Sequence, residues 1–323
     1  MTNQARTCAV LSPPADVTDA DNRTPPCSLL CRLAWRGDQD CAGPPGFDDA
    51  VLFLHGFPDL AVDPVSLEHG SRFCRKLCDS VLDATPGSSS RLFCAFNSSG
   101  LPGSNDGVRF EEKLLSREVI DVLAVASHLR TTCHVKRLHI LGLSTGAILA
   151  ALLRCRPELG PGFFERVSIT AVAGLLDAGE GVCKYDFDPL QMTQFSEQGW
   201  CWKEFWLPPG LATKAVDWDL ARTAATDPDC WEKVPMRLNR SYIDDARTLN
   251  IQASVASSSI PFLVIHGESD TNIPVSEGIG LFDAAADPKQ LCVITKANHL
   301  FTSTSHFKKL LRAFLDHVAS SAL

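Results

Sequence analysis

The chain has 323 residues, 45% of them hydrophobic and 21% charged, which is the profile of a soluble globular protein whose core needs no disulfide or metal staples. Its formal net charge of −8 argues against a nucleic-acid binder, which would carry a basic stripe to offset phosphates. Thirteen cysteines, odd in number and without a C-x-x-C or a matching His cluster, predict reduced thiols and no metal site.

Residues 1–27 lack periodicity and predict a loose tail. They have no apolar core behind a basic start, and no run in the chain approaches 18 apolar residues. A cytoplasmic protein without a membrane span is therefore expected. SLLCRLAW (28–35) reads as a strand. AVLFLHG (50–56) is a continuous apolar run of the kind that a strand covered on both faces needs. Residues 67–84 carry helical spacing at Phe73, Leu77 and Val81. RLFCAFN (91–97) is a strand, and 113–130 an amphipathic helix. RLHILGLS (137–144) is a strand running straight into the helical segment TGAILAALLRC. Further buried strands are read at 166–176, 260–270 and 289–299.

Strands alternating with helices predict an α/β fold with a doubly wound, mostly parallel sheet. Its core is divided into 28–177 and 251–323. Residues 178–250 break the rhythm, hold five of the tryptophans and show no clear buried strand. They predict an inserted helical cap.

Gly142-Leu143-Ser144-Thr145-Gly146 fits G-x-S-x-G, a pattern that chance supplies in roughly one chain in ten of this length. Its position raises its value, because it falls where an apolar strand turns into a helix. Glycines there permit a tight turn that projects the serine above the sheet edge. The helix N-terminus behind it favours developing negative charge. A serine nucleophile needs a base, and the base needs an orienting acid. Asp270 and His299 each follow a buried strand and keep the chain order Ser, acid, His. Asp177, after the strand ending in GLL, is the alternative acid, whereas His306 and His266 are weaker candidates for the base. The turn His55-Gly56-Phe57-Pro58-Asp59 is the natural source of one oxyanion donor. Pro58 has no N–H, so the donors expected are the backbone N–H groups of Phe57 and Thr145.

HGF at 55–57, GLSTGA at 142–147 and HGESD…ANH at 266–299 resemble the α/β-hydrolase superfamily. FNSSGLPGSNDG (96–107) and the stretch 241–278 resemble its cinnamoyl/feruloyl-esterase and serine-aminopeptidase-like branch. The resemblance implies an eight-stranded sheet, a lid after the sixth strand, and acyl hydrolysis without a cofactor. HGFPD also resembles epoxide hydrolases and dehalogenases, but those use an Asp nucleophile where this chain has Ser144.

The expected activity is hydrolysis of a small-molecule carboxylic ester through an acyl-enzyme. Trp200, Trp202, Phe205 and Trp206 of the cap are candidates to line a pocket for an apolar or aromatic acyl group. Amide or thioester hydrolysis would use the same machinery. A non-catalytic ligand sensor on the same fold is the alternative of a different class.

Overall fold

The computed structural model of the chain describes residues 2–12, 27–37, 46–57, 59–84, 91–104, 107–207 and 232–321. Eight strands form one sheet: β1 (Thr2–Ser12), β2 (Cys27–Gly37), β3 (Asp49–Leu54), β4 (Arg91–Phe96), β5 (Arg137–Leu143), β6 (Arg166–Val172), β9 (Phe262–Gly267) and β10 (Lys289–Ile294), in the spatial order β1-β2-β4-β3-β5-β6-β9-β10. Between β6 and β9, β7 (Trp200–Leu207) and β8 (Glu232–Asn239) pair antiparallel as a separate ribbon. From β4 to β10 every pairing in the large sheet is parallel, and β1 and β2 close one side antiparallel.

Parallel strands must be covered on both faces, and this chain supplies a helical layer for each. α1 (Arg72–Asp83) and α9 (Thr304–Ser320) pack one face through Leu77, Val81, Phe307, Leu310 and Phe314. α2 (Leu115–Thr131), α3 (Thr145–Leu153), α7 (Ile251–Ala256) and α8 (Val275–Ala284) cover the other. α3 is buried along its whole length, which explains why TGAILAALL has no polar face to offer. α1 starts at Ser71, whose hydroxyl accepts from the Cys74 N–H, satisfying one of the open donors of its first turn.

Two features depart from expectation. Residues 2–12, within the stretch expected as a loose tail, form β1, held to β2 along its length and to α2 by Ser12 Oγ donating to Asp121. The insertion is not wholly helical. It contains α4 (Ala178–Gly181), α5 (Pro189–Gln198) and α6 (Ser241–Ala246) together with the β7–β8 ribbon. Among the described residues the cysteines are free thiols, no cluster is built to hold a metal ion, and no helix is long and apolar enough to cross a membrane.

The register aligns the strand ends. Leu54 pairs with Gly142, Leu143 with Val172, Val172 with Ile265, and Ile294 with Gly267. The loops after β3, β5, β9 and β10 therefore leave from one edge, where open α/β sheets keep their sites.

Candidate active site

Ser144 sits between β5 and α3 with φ 57° and ψ −118°. A non-glycine residue held at positive φ is strained, and the neighbours hold it there. The Ser144 N–H donates to Val172 O at 2.9 Å, and its carbonyl accepts from Ala147 at 2.8 Å. The flanking glycines are required by close approach. A Cβ on Gly142 would run into the Gly146 carbonyl, and one on Gly146 into Leu54 O. The helix and strands around the turn can close only because both positions lack a side chain.

Asp270 follows β9 and His299 follows β10, as the pattern predicts. His299 Nδ1 and Asp270 Oδ2 are 2.7 Å apart, and both residues are buried. Gly267 brings their loops together, since a Cβ there would stand 2.5 Å from Ala297 O. Asp270 Oδ1 accepts from the backbone N–H groups of Asn272 and Ile273, each at 2.9 Å. His266 Nε2 lies 3.4 Å from Asp270 Oδ2 and 2.9 Å from Ile273 O. Burial by itself raises the Asp270 pKa. The bonds from His266, His299 and Ile273 outweigh it and hold the carboxyl below its ordinary range.

Of the competing residues His266 lies beside Asp270, whereas the alternative acid and His306 are elsewhere. Asp177 caps α4, accepting from Glu180 N at 3.0 Å. Glu268 accepts from Lys296 N at 3.1 Å, and His306 lies within α9. Among the described contacts His299 pairs with Asp270, and none joins His299 to Ser144 Oγ.

The turn after β3 lies against the serine. A Cβ on Gly56 would be 3.2 Å from Ser144 Cβ and 3.8 Å from its Oγ. Phe57 therefore stands beside the elbow, and Pro58 lies outside the described residues. The Thr145 N–H is the first of α3 and has no partner within the helix. His55 is buried beneath the turn, with Nδ1 2.9 Å from Gly56 O and Nε2 3.1 Å from Ser98 Oγ. Burial, reinforced by Lys113, lowers its pKa to about 4. Lys113 is itself paired with Glu118 at 3.0 Å, and Arg117 with Asp121 at 3.3 Å.

The insertion reaches this turn through a residue that composition did not single out. Lys203 on β7 places its ammonium 5.5 Å from the Phe57 ring centre and 4.7 Å from that of Phe187, and donates to the Asp186 carbonyl. Burial raises the Asp186 carboxyl to about 6, with Lys203 and His299 pulling the other way. Phe57 also stacks on Phe110 and on Tyr242, at 6.0 and 5.2 Å between centroids.

Side chains alternate along a strand, so Trp200 and Trp202 fall on the face of β7 opposite Lys203. They pack edge to face on each other at 5.1 Å, Arg237 lies over Trp200, and Trp202 is 47% exposed. Trp202 is thus open to solvent on that face, with Trp200 half-buried beside it. The side chains of Phe205 and Trp206 lie outside the described residues.

No curated protein matches the chain. Solved structures share its fold at low identity. Est1E from Butyrivibrio proteoclasticus with ferulic acid bound superposes with a TM-score of 0.63 at 14% identity, covering 95% of this chain and 99% of that one. The Pyrococcus furiosus esterase Pf2001 gives 0.59 at 14% identity over 99% and 91% of the two chains. Mouse alpha/beta hydrolase domain-containing protein 10 gives 0.55 at 15% over 95% and 98%. The family model described as serine aminopeptidase, S33, matches residues 91–303, more than half of the chain, from the fourth strand through the segment that carries His299. The chain belongs to this family of α/β-hydrolases.

Proposed function

We propose that the protein is a serine hydrolase that cleaves carboxylic esters through an acyl-enzyme. The observation that carries this reading is the buried His299–Asp270 pair on the same sheet edge as the strained Ser144 turn. Ser144 Oγ attacks the ester carbonyl carbon and its proton passes to His299 Nε2. Asp270 keeps Nδ1 protonated and stabilises the imidazolium that forms. The carbonyl oxygen becomes an oxyanion that accepts from the Phe57 and Thr145 N–H groups, each such donor lowering the barrier by about 3 kcal/mol. Collapse breaks the bond to the alcohol, which leaves with the proton from His299. Water then repeats the sequence to release the acid and restore Ser144.

The insertion acts as a cap in this reading, supported by the reach of Lys203 to the Phe57 ring. The substrate is an ester of a small or medium-sized apolar or aromatic acid. The partly buried ring of Phe57 beside the serine turn supports it, as does the ferulic acid held by the similarly folded Est1E. The family's description favours a second reading, amide hydrolysis at an amino terminus, which needs only a different leaving group. Turnover of p-nitrophenyl esters, methyl ferulate and aminoacyl p-nitroanilides separates the two. Ester turnover should dominate and fall at least about 10⁴-fold in Ser144→Ala. Equal turnover by the variant would overturn the mechanism, and preference for the anilides would overturn the ester assignment.

A further inference from the structure

Four strands from β5 in the sheet, four sulfurs and one imidazole gather where β1 meets α2. Cys8 on β1 is the direct partner of Cys31 on β2, so both side chains leave the same face of the sheet. His128 of α2 approaches from above, its Nε2 3.9 Å from Cys8 Sγ, with Cys133 close enough to influence it. Cys94 on β4 is close enough to influence Cys31. β1 is the edge strand. Cys8 is accordingly half-buried, while Cys31, Cys94 and Cys133 are buried.

We propose that Cys8 and Cys31 form a peroxide-responsive dithiol, with Cys8 as the attacking sulfur, His128 as its positioning partner and Cys31 as the resolving thiol. The Cys8 thiolate attacks a peroxide oxygen and the O–O bond breaks. The leaving hydroxide takes the imidazolium proton of His128 and departs as water. The resulting Cys8 sulfenic acid is attacked by the Cys31 sulfur, and a second water leaves as the S–S bond forms. Two thiols and one hydrogen peroxide thus give one disulfide and two waters. The product would tie the edge strand covalently to its neighbour.

The surroundings favour this division of roles. The neighbouring Cys31 thiol, with His128 and Arg6, holds the Cys8 pKa near 5 against the opposing effect of burial. His128 is raised to about 9 by the neighbouring Cys133 and Cys8. Burial, then Cys8, Cys94 and Asp121, push Cys31 well above the ordinary range. The half-buried sulfur beside His128 is therefore the one favoured to ionise, and burial disfavours ionisation of Cys31. A thiol with that pKa has roughly 300 times more thiolate at pH 6 than an ordinary one, and loses roughly 30-fold of this to lower nucleophilicity. The net advantage is about ten-fold.

The test is site-resolved labelling of the full-length protein. At pH 6, iodoacetamide should modify Cys8 about ten times faster than free N-acetylcysteine, and His128→Asn should remove that excess. One equivalent of hydrogen peroxide, followed by alkylation and peptide mass analysis, should give the Cys8–Cys31 linkage. In Cys31→Ser, Cys8 should instead be trapped by dimedone as the sulfenic acid. Oxidation that begins at the exposed Cys155, a linkage from Cys8 to Cys133, or alkylation of Cys8 no faster than the free thiol would overturn the proposal. These readouts do not involve Ser144, so they stand or fall apart from ester hydrolysis.

Discussion

Asp270 Oδ2 lies 2.7 Å from His299 Nδ1, although the two residues are separated by 29 positions in the chain. Its other oxygen is held by two backbone N–H groups. Asp270→Asn preserves that acceptor but offers an amide N–H to the ring, forcing the wrong tautomer. The variant should fold normally and lose about 10⁴-fold in kcat on esters. Steady-state kinetics beside a thermal melt checks both halves. A folded variant with wild-type kcat would remove Asp270 from the reaction.

Acid should act on the same carboxyl. The folded-state pKa of Asp270 lies below its ordinary value, so the unfolded chain binds its proton first as pH falls. The stability this group contributes is full above about pH 4 and is lost as pH drops toward the folded value. His55 follows the same sign at higher pH. Its pKa is about 4 in the fold against about 6.5 unfolded, so its contribution is full above pH 6.5 and lost between there and pH 4. That window corresponds to about 3 kcal/mol. Urea midpoints measured from pH 7 to pH 4 should fall, and should fall less steeply in His55→Gln. Parallel curves for the two proteins would contradict the buried neutral imidazole.

Glycine replacements should divide by what a methyl group meets. Gly267→Ala places Cβ 2.5 Å from Ala297 O, between the loops that present Asp270 and His299. It should cost about 2–3 kcal/mol of stability. Gly280→Ala, inside α8, meets nothing closer than the Leu176 side chain at 3.4 Å. It should stabilise the protein by about 0.5–1 kcal/mol. Denaturant unfolding of both measures the contrast, and equal effects would argue against the tight approach at Gly267.

The two faces of β7 should respond differently. Trp202→Ala removes an exposed ring that rests on Trp200 and should leave ester kcat/KM and Tm unchanged. Lys203→Met removes the donor to the Asp186 carbonyl and the cation over Phe57 and Phe187. It should lower Tm by about 5 °C and shift KM. A Trp202→Ala variant impaired as strongly as Lys203→Met would mean that the ribbon presents its other face to the site.

The core was legible because its signals are local. Continuous apolar runs mark the covered strands, and the GLSTG turn announces itself by where a strand pattern stops. Asp270 and His299 could be named because each follows such a run. Three features escaped for physical reasons. β1 is an edge strand whose sequence TNQARTCAVLS buries only one side, so its alternation is weak. The β7 ribbon was obscured by its tryptophans, which suggest a pocket by composition although period-two geometry puts Trp200 and Trp202 on the face opposite Lys203. Lys203 has no motif. Its position depends on what the fold brings against Phe57 and Phe187, a relationship that no local spacing encodes.

The central claim is that Ser144 is a nucleophile activated by its setting, and covalent labelling tests it most directly. A fluorophosphonate probe should add once to the native protein, with the adduct on the peptide containing Ser144. Labelling should be lost in Ser144→Ala, and strongly slowed in His299→Ala. Labelling of Ser144→Ala at the wild-type rate, or an adduct on another residue of the native protein, would contradict the account.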